Sequence, residues 1–432
     1  MNVLLIGGGG REHAVAWKLR QSSRLTDLHI APGNAGTAET GHNVDLPIPR
    51  TGTAGEELDA YLDAAAKLAK DLRVDLAFVA PDDPLAWGLV DRLAAADIAT
   101  FGPTAAAAEI ESSKVWSGDF ARRHRIPHPR AEDFRDLDEA KAYIRDADHD
   151  LVIKADGLAV GKGVTVAESK EHALQVVEQL MKDGVLGDAG RKLVIQERLR
   201  GREVSGHAFS DGRLVAPMPL SCDHKAVYDG NLGPNTGGMG AYSPPWWAND
   251  SLANEITDRV IQPAVEWLRA EGRPFRGVLY PGLFVTDDGI KVIEFNSRFG
   301  DPEAQALLPR LKTDLLDIVW AVANGRLRSV ELEWSEEASI CVVCASGGYP
   351  ADYKTGFPIS GLDSLDADVE VFHAGTRRDA DGQVVTSGGR VLGVTAKAPT
   401  LAEARARAYA NIDRISFEGM HYRTDIGLQA EV

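Results

Sequence analysis

The run Val292-Ile293-Glu294-Phe295-Asn296-Ser297-Arg298-Phe299-Gly300-Asp301-Pro302-Glu303 carries the densest chemistry in the sequence. Glu294 and Asn296 are two residues apart in a β-rich stretch, so on a strand both point to one face while Phe295 turns into packing. A carboxylate and an amide oxygen side by side suit Mg²⁺, which takes one or two carboxylates together with substrate phosphates. Arg298 extends the same face if the strand continues that far. There a guanidinium offsets charge on a moving phosphoryl group or an acyl phosphate. Asp301-Pro302-Glu303 reads as a helix start, with Asp301 as N-cap and Pro302 at the first helical position.

Two Gly-rich segments suit phosphates. Gly7-Gly8-Gly9-Gly10-Arg11-Glu12 joins a strand to a helix. It fails as a dinucleotide fingerprint, because Glu12 or His13 stands at the third glycine and the second strand ends His29-Ile30-Ala31-Pro32 without a ribose-binding acid. What remains is a set of amides at a helix N-terminus with the charge of Arg11 beside them. The second segment, 155–163, has three residues between its glycines, Gly163 in place of Ser or Thr, and a strand after it, so it is not a P-loop. It reads as a mobile hairpin flap whose amides fold over phosphates. Lys154, on the half-buried strand before the flap, needs an anionic partner. Asp223-His224-Lys225 and 233–240 lie in about twenty-five residues without evident secondary structure, a length that is usually functional or disordered. Cys341-Val342-Val343-Cys344 reads as core, with its thiols on opposite faces of a strand and no second pair for zinc. Trp246-Trp247 reads as packing.

The elements that position these residues follow from periodicity. Apolar runs at 3–6, 28–31, 76–80 and 98–101 alternate with helical spacing at 11–21, 56–72 and 84–96. That alternation predicts a parallel sheet covered on both faces, with ligand sites at the strand C-terminal ends. From about residue 102 the pattern becomes antiparallel α+β. Strands are predicted at 151–155, 164–167 and 193–198, a helix at 170–182, and hairpins at Asp211-Gly212 and Asp288-Gly289. After residue 325 it resets, with strands at 338–345, 369–374 and 390–395 and a helix at 400–415. The expectation is an α/β and α+β chain of three domains, 1–101, 102–325 and 326–432.

Composition narrows the function. Of 432 residues, 44% are hydrophobic and 26% charged, which excludes disorder, collagen and a disulfide scaffold. Lys+Arg 47 against Asp+Glu 64 gives −17, a field that repels nucleic acid and leaves phosphate binding to local cations. Three cysteines suggest a reducing compartment. The N-terminal apolar run is too short for a signal peptide, and no stretch reaches the roughly 18 apolar residues of a membrane span. A soluble cytoplasmic monomer, with no nucleic-acid or membrane partner, is expected.

Taken in order, the motifs GGGGREHA, APGNAGT, FGPT, VIKADGLAVGKGV, DHK, GPNTGGMGAYSP and VIEFNSRFGDPE resemble those of the phosphoribosylamine–glycine ligases, a family of ATP-grasp carboxylate–amine ligases. The resemblance implies a central ATP-grasp domain with a mobile lid subdomain at about 125–195. It also implies joining of glycine to 5-phosphoribosylamine with ATP through a glycyl phosphate, giving glycinamide ribonucleotide, ADP and phosphate in de novo purine synthesis. Lys114 and Lys154 would touch the ATP phosphates, with Asp156, Gly157, Gly161, Lys162 and Gly163 in the loop closing over them. Gln196, Glu197 and Leu199 would line the adenine hinge and Glu203 would hold the ribose. Glu294 and Asn296 would hold Mg²⁺ or Mn²⁺. Gly9, Gly10, Arg11, Glu12, Asn34, Gly36, Asp82, Asn235, Gly300, Asp301, Pro302 and Glu303 would surround phosphoribosylamine and glycine. Arg298, Lys225 and Asp223 would carry the chemistry. Three positions depart from the family pattern: Asp82 stands where glutamate is usual, Gly118 where lysine is, and Cys222 where glutamine is common. The length leaves room for this activity alone. The alternative is another ATP-grasp carboxylate–amine ligase. A nicotinamide oxidoreductase is disfavoured by the failed fingerprint.

Overall fold

Val3, Leu4, Leu5 and Ile6 are completely buried because the strand Asn2–Gly7 runs through the centre of a parallel sheet. The computed structural model describes residues 1–157, 163–185 and 190–428. The sheet order is His42–Asn43, Asp27–Pro32, Asn2–Gly7, Leu76–Val79 and Ala99–Phe101, all parallel. The two-residue edge strand at His42 is too short to leave a periodic signal. The single helix expected over 84–96 is instead two, Asp82–Ala86 and Leu89–Ala94. Gly88 divides them at φ 84°, a left-handed conformation that favours glycine.

The next segment holds two antiparallel sheets. One has the order Ala131–Phe134, Leu193–Glu197, Leu151–Ala155 and Val164–Val166. The helices Leu137–Asp146 and Lys170–Met181 pack on it, and Ile144, Ile153, Val177 and Ile195 belong to a core of its own. The other sheet centres on the long strand Arg276–Thr286, which pairs with Arg202–Ser205, Ala208–Asp211 and Gly289–Asn296. Both Asp-Gly turns close hairpins, as predicted.

The segment expected to lack secondary structure contains four short strands: Cys222–Asp223, Ala226–Tyr228, Leu232–Asn235 and Gly240–Ser243. Strands of two to four residues show no alternation of their own, and the longest-range pairing here joins Gly240–Ser243 to Ala338–Ala345. The C-terminal sheet therefore runs Cys222–Asp223, Gly240–Ser243, Ala338–Ala345, Arg390–Ala398 and Val369–His373, with the helix Leu401–Ile412 against it. Cys341 and Cys344 are buried free thiols within it. Among the described residues, no helix is long and apolar enough to cross a membrane.

Candidate active site

Strands, helix ends and loops from all three parts of the chain line a cleft of 1060 Å³. Its wall includes Arg11, Asp82, Lys114, Lys154, Gly163, Gln196, Leu199, Glu203, Asp223, Lys225, Asn235, Glu294, Asn296, Arg298, Asp301 and Glu303. Arg11 and Asp82 follow the C-terminal ends of two parallel strands, where an open α/β sheet binds ligands. Lys154 and Gln196 come from the smaller antiparallel sheet opposite.

A β-bulge shapes the strand Gly289–Asn296. Gly282 pairs with Glu294 and Leu283 with Val292, leaving Ile293 as the extra residue. Its carbonyl accepts from Lys154 Nζ at 2.8 Å. Glu294 Oε1 stands 3.6 Å from Lys225 Nζ, and Lys225 also pairs closely with Glu203. Burial pushes the Glu294 carboxyl up, but Lys225, Lys154, Lys114 and Arg298 outweigh it and hold it at about 2. Burial lowers Lys154 to about 8 against the pull of Glu294. For Lys225 the balance reverses. Burial would lower it, yet Glu203, Asp223 and Glu294 drive it well above the usual lysine range. Asp223 is raised well above the carboxylate range, first by burial and then by Glu303, Glu203 and Glu294, against Lys225.

The strand ends at Asn296, and Arg298 follows a bend. Its guanidinium turns back to donate to Asn296 Oδ1 at 3.2 Å and pairs with Glu111 at 2.7 Å. Glu111, Tyr280 and Arg390 are site residues that the sequence reading missed. Tyr280 donates to Glu303, and Arg390 pairs with Asp301 Oδ2 at 3.1 Å while donating to the carbonyls of Gly237 and Asp301, each at 2.7 Å. Glu111 had a signal, being a carboxylate on the same helical face as Ala107 and Ala108. Arg390 had none, since its partners lie 89 and 153 residues away.

Several expected residues are engaged elsewhere. The Gly9 N–H was expected to be free for a phosphate but donates to Glu12 Oε2 at 2.6 Å. A glutamate at the third helical position is the nearest anion to that amide, so it caps its own helix. Arg11 Nε donates to Glu12 Oε1 at 2.6 Å, and a methyl on Gly10 would stand 2.6 Å from Gln305 Nε2. Asn34 uses its whole amide. Its Nδ2 donates to the carbonyls of Gly8 and His373, and its Oδ1 accepts from the amides of Gly36 and Thr37. Gly36 packs against the rings of His13 and His373. Glu197 is turned to Arg130 and Lys291. Asp156 Oδ1 accepts from Ser113 Oγ at 3.1 Å and Val115 N–H at 3.2 Å, and Lys114 Nζ donates to the Gly157 carbonyl at 2.8 Å. Gly161 and Lys162 lie outside the described residues. The helix near Asp301 begins at Glu303 with Pro302 at its N-cap, so Asp301 is not the cap. Its carboxylate is drawn to Arg390 and accepts from Gln305 Nε2 at 2.7 Å. Gly300 leaves no room for a side chain beside Glu303, and Pro302 packs on Gly238.

Glu294 and Asn296 offer one carboxylate and one amide oxygen beside three lysines. Among the described residues, no group of three or more His, Cys, Asp or Glu forms a self-sufficient metal site. This donor set fits Mg²⁺, which completes its shell with water and substrate phosphates.

Comparison with known proteins agrees with this geometry. Profiles of the N domain, the ATP-grasp (A) domain and the C domain of phosphoribosylglycinamide synthetase match residues 1–111, 112–304 and 339–429. A phosphoribosylamine–glycine ligase of Rhodopirellula baltica is 44% identical over 440 residues, covering 100% of this chain and 98% of its own. One from Escherichia coli is 46% identical over 432 residues, covering 100% and 99%. The crystal structure of the Thermotoga maritima phosphoribosylamine–glycine ligase superposes with a TM-score of 0.84 at 31% identity, covering 99% of this chain and 100% of that one. With this likeness along its whole length, the chain belongs to the phosphoribosylglycinamide synthetase family of ATP-grasp enzymes.

Proposed function

We propose that the chain joins the carboxyl group of glycine to the amine of 5-phosphoribosylamine with ATP, giving glycinamide ribonucleotide, ADP and phosphate in purine synthesis. The observation that carries the reading is the ring of Lys114, Lys154, Lys225 and Arg298 around Glu294 and Asn296 in one cleft.

A carboxylate is a poor electrophile at neutral pH. In the first step a glycine carboxylate oxygen bonds to the γ-phosphorus of ATP, the bond to the β–γ bridging oxygen breaks, and ADP leaves. In the second step the substrate amine attacks the acyl carbon of glycyl phosphate. The carbon–oxygen bond to phosphate breaks and the amine loses its proton. Lys114 and Lys154 would hold the nucleotide phosphates, Gln196 and Leu199 the base, and Glu203 the ribose. Arg298 would offset charge on the phosphoryl group as it moves. Glu294 and Asn296 would hold Mg²⁺ or Mn²⁺, which when bound supplies further neutralisation of phosphate charge. Arg11, Asp82, Asn235, Asp301 and Glu303 would face phosphoribosylamine and glycine, and Asp223 and Lys225 would set the charge balance beside them. Gly9, Gly10, Glu12, Asn34 and Gly36 would shape the turn behind Arg11.

The domain limits 1–101, 102–325 and 326–432, with a lid at about 125–195, belong to the same reading, with the strands Cys222–Asp223 and Gly240–Ser243 of the middle segment lent to the C-terminal sheet. So does a monomer in the cytoplasm; the three free, buried cysteines fit the reducing compartment and have no bearing on the oligomeric state. The test is ADP release with ATP and glycine, with and without phosphoribosylamine. Full rate should require both substrates. Equal turnover with any amine, or with none, would reject the assignment.

A further inference from the structure

Glu111 stands near the end of the helix Ala105–Ser112, on a face where Ala107, Ala108 and Ile110 are also buried. A carboxylate in such a place needs partners that satisfy it. It has three. Oε2 accepts from the Ser297 N–H at 2.8 Å and from the Ser297 hydroxyl at 2.7 Å. Oε1 pairs with the Arg298 guanidinium at 2.7 Å. Glu111 borders the cleft, but both of its oxygens are committed.

The other hydrogen bonds of Arg298, to the Phe299 carbonyl and Asn296 Oδ1, are both 3.2 Å long, longer than its pairing with Glu111, which is the largest of the charges acting on it. Its Nε is buried with no partner among the described residues. An arginine side chain has many rotamers, so without a fixed anion its charge samples more than one direction. Charge stabilisation of a transition state depends on a group that is already in place when charge develops.

We infer that Glu111 is a positioning residue for the ligation, setting the direction in which Arg298 presents its guanidinium to the phosphoryl group. This rests on the functional reading above, in which Arg298 faces that group. Glu111 itself touches no reacting atom. The competing role is structural, with Glu111 only fixing the backbone at Ser297.

A double-mutant cycle separates the two. Glu111→Gln keeps an oxygen for Ser297 and removes the charge that orients Arg298. It should lower kcat about tenfold or more, with KM for ATP within about threefold. Ser297→Ala removes the hydroxyl bond and leaves the ion pair, so kcat should stay near wild type. In an Arg298→Ala background, Glu111→Gln should cause no further loss. If Glu111→Gln does not fold, Glu111→Asp, which keeps the charge on an arm too short for both partners, enters the same cycle. Its loss of kcat should be smaller than about tenfold and should vanish in the Arg298→Ala background, and a loss that persists there would overturn the proposal. Losses that multiply across the cycle would overturn the proposal, as would equal losses from Ser297→Ala and Glu111→Gln. An Arg298→Ala enzyme with unchanged kcat would overturn it as well. A wild-type chain that makes no ADP from both substrates would instead sink the functional reading and this proposal with it.

Discussion

The guanidinium of Arg298 donates to the amide oxygen of Asn296 at 3.2 Å, so the oxygen assigned to a divalent cation already faces a fixed positive charge. Cation and guanidinium would then act on one phosphoryl group from adjacent positions. The two contributions are separable by experiment.

Glu294→Gln keeps shape and removes the anionic ligand, so activity should fall and raised Mg²⁺ should recover part of it. Arg298→Ala should lower kcat by roughly a hundredfold or more, as for lost electrostatic donors elsewhere, and extra metal should not help. The measurement is kcat against Mg²⁺ concentration for both. Metal rescue of Arg298→Ala, or indifference of Glu294→Gln, would refute these roles.

Lys154 gives a pH dependence with a definite sign. Its folded value, about 8, lies below the ordinary 10.5. As pH rises through about 8 the free enzyme loses the Lys154 charge, which the proposed function assigns to phosphate, so kcat/KM for ATP should decline. Between about 8 and 10.5 the unfolded chain binds the extra proton, so this group's contribution to stability rises with pH in that window. Lys154→Arg should move the decline in kcat/KM to higher pH. A pH profile that is the same in both proteins would show that the limb belongs to another group.

Lys225 offsets several carboxylates at once. Lys225→Met should lower stability by about 1–3 kcal/mol, toward the smaller figure because Lys225 and Glu203 are 26% and 31% exposed. Adding Glu203→Gln should restore part of the loss, because one of the freed charges is then gone. Denaturation midpoints of the single and double variants decide this. No recovery would mean that Glu203 is not the main partner.

Gly36 and Gly118 should respond in opposite directions to alanine. A methyl at position 36 overlaps the rings of His13 and His373, both buried, and overpacking of this kind costs about 1–3 kcal/mol. Position 118 lies within the helix Lys114–Arg123 with nothing within 4 Å of an added methyl. There alanine should stabilise by about 0.5–1 kcal/mol. Thermal melts of the two variants provide the check.

The site was legible where chemistry is local in sequence. Glu294, Asn296 and Arg298 fall within five residues, and alternation on a strand brings the first two to one face. Lys154 was legible as a charge too costly to bury alone. What escaped was long-range. The bulge that frees the Ile293 carbonyl for Lys154 is a pairing irregularity against Arg276–Thr286, and nothing in 289–296 encodes it. The Gly-rich turn was legible as a helix N-terminus, but the reading left out that Glu12 would claim the Gly9 amide. The parallel sheet followed from buried apolar runs, whereas four short strands within 222–243 had no period to read.

Two of the five strands in the C-terminal sheet, Cys222–Asp223 and Gly240–Ser243, come from the middle of the chain, and Lys225 and Asn235 lie between them. The seam between these parts in space is therefore not a seam in the sequence. A chimera that exchanges everything after residue 325 with a relative would graft three strands onto two foreign ones, across the pairing of Gly240–Ser243 with Ala338–Ala345. For protein engineers the smallest interchangeable piece is the pair of segments together, and the stretch with Lys225 and Asn235 travels with the sheet.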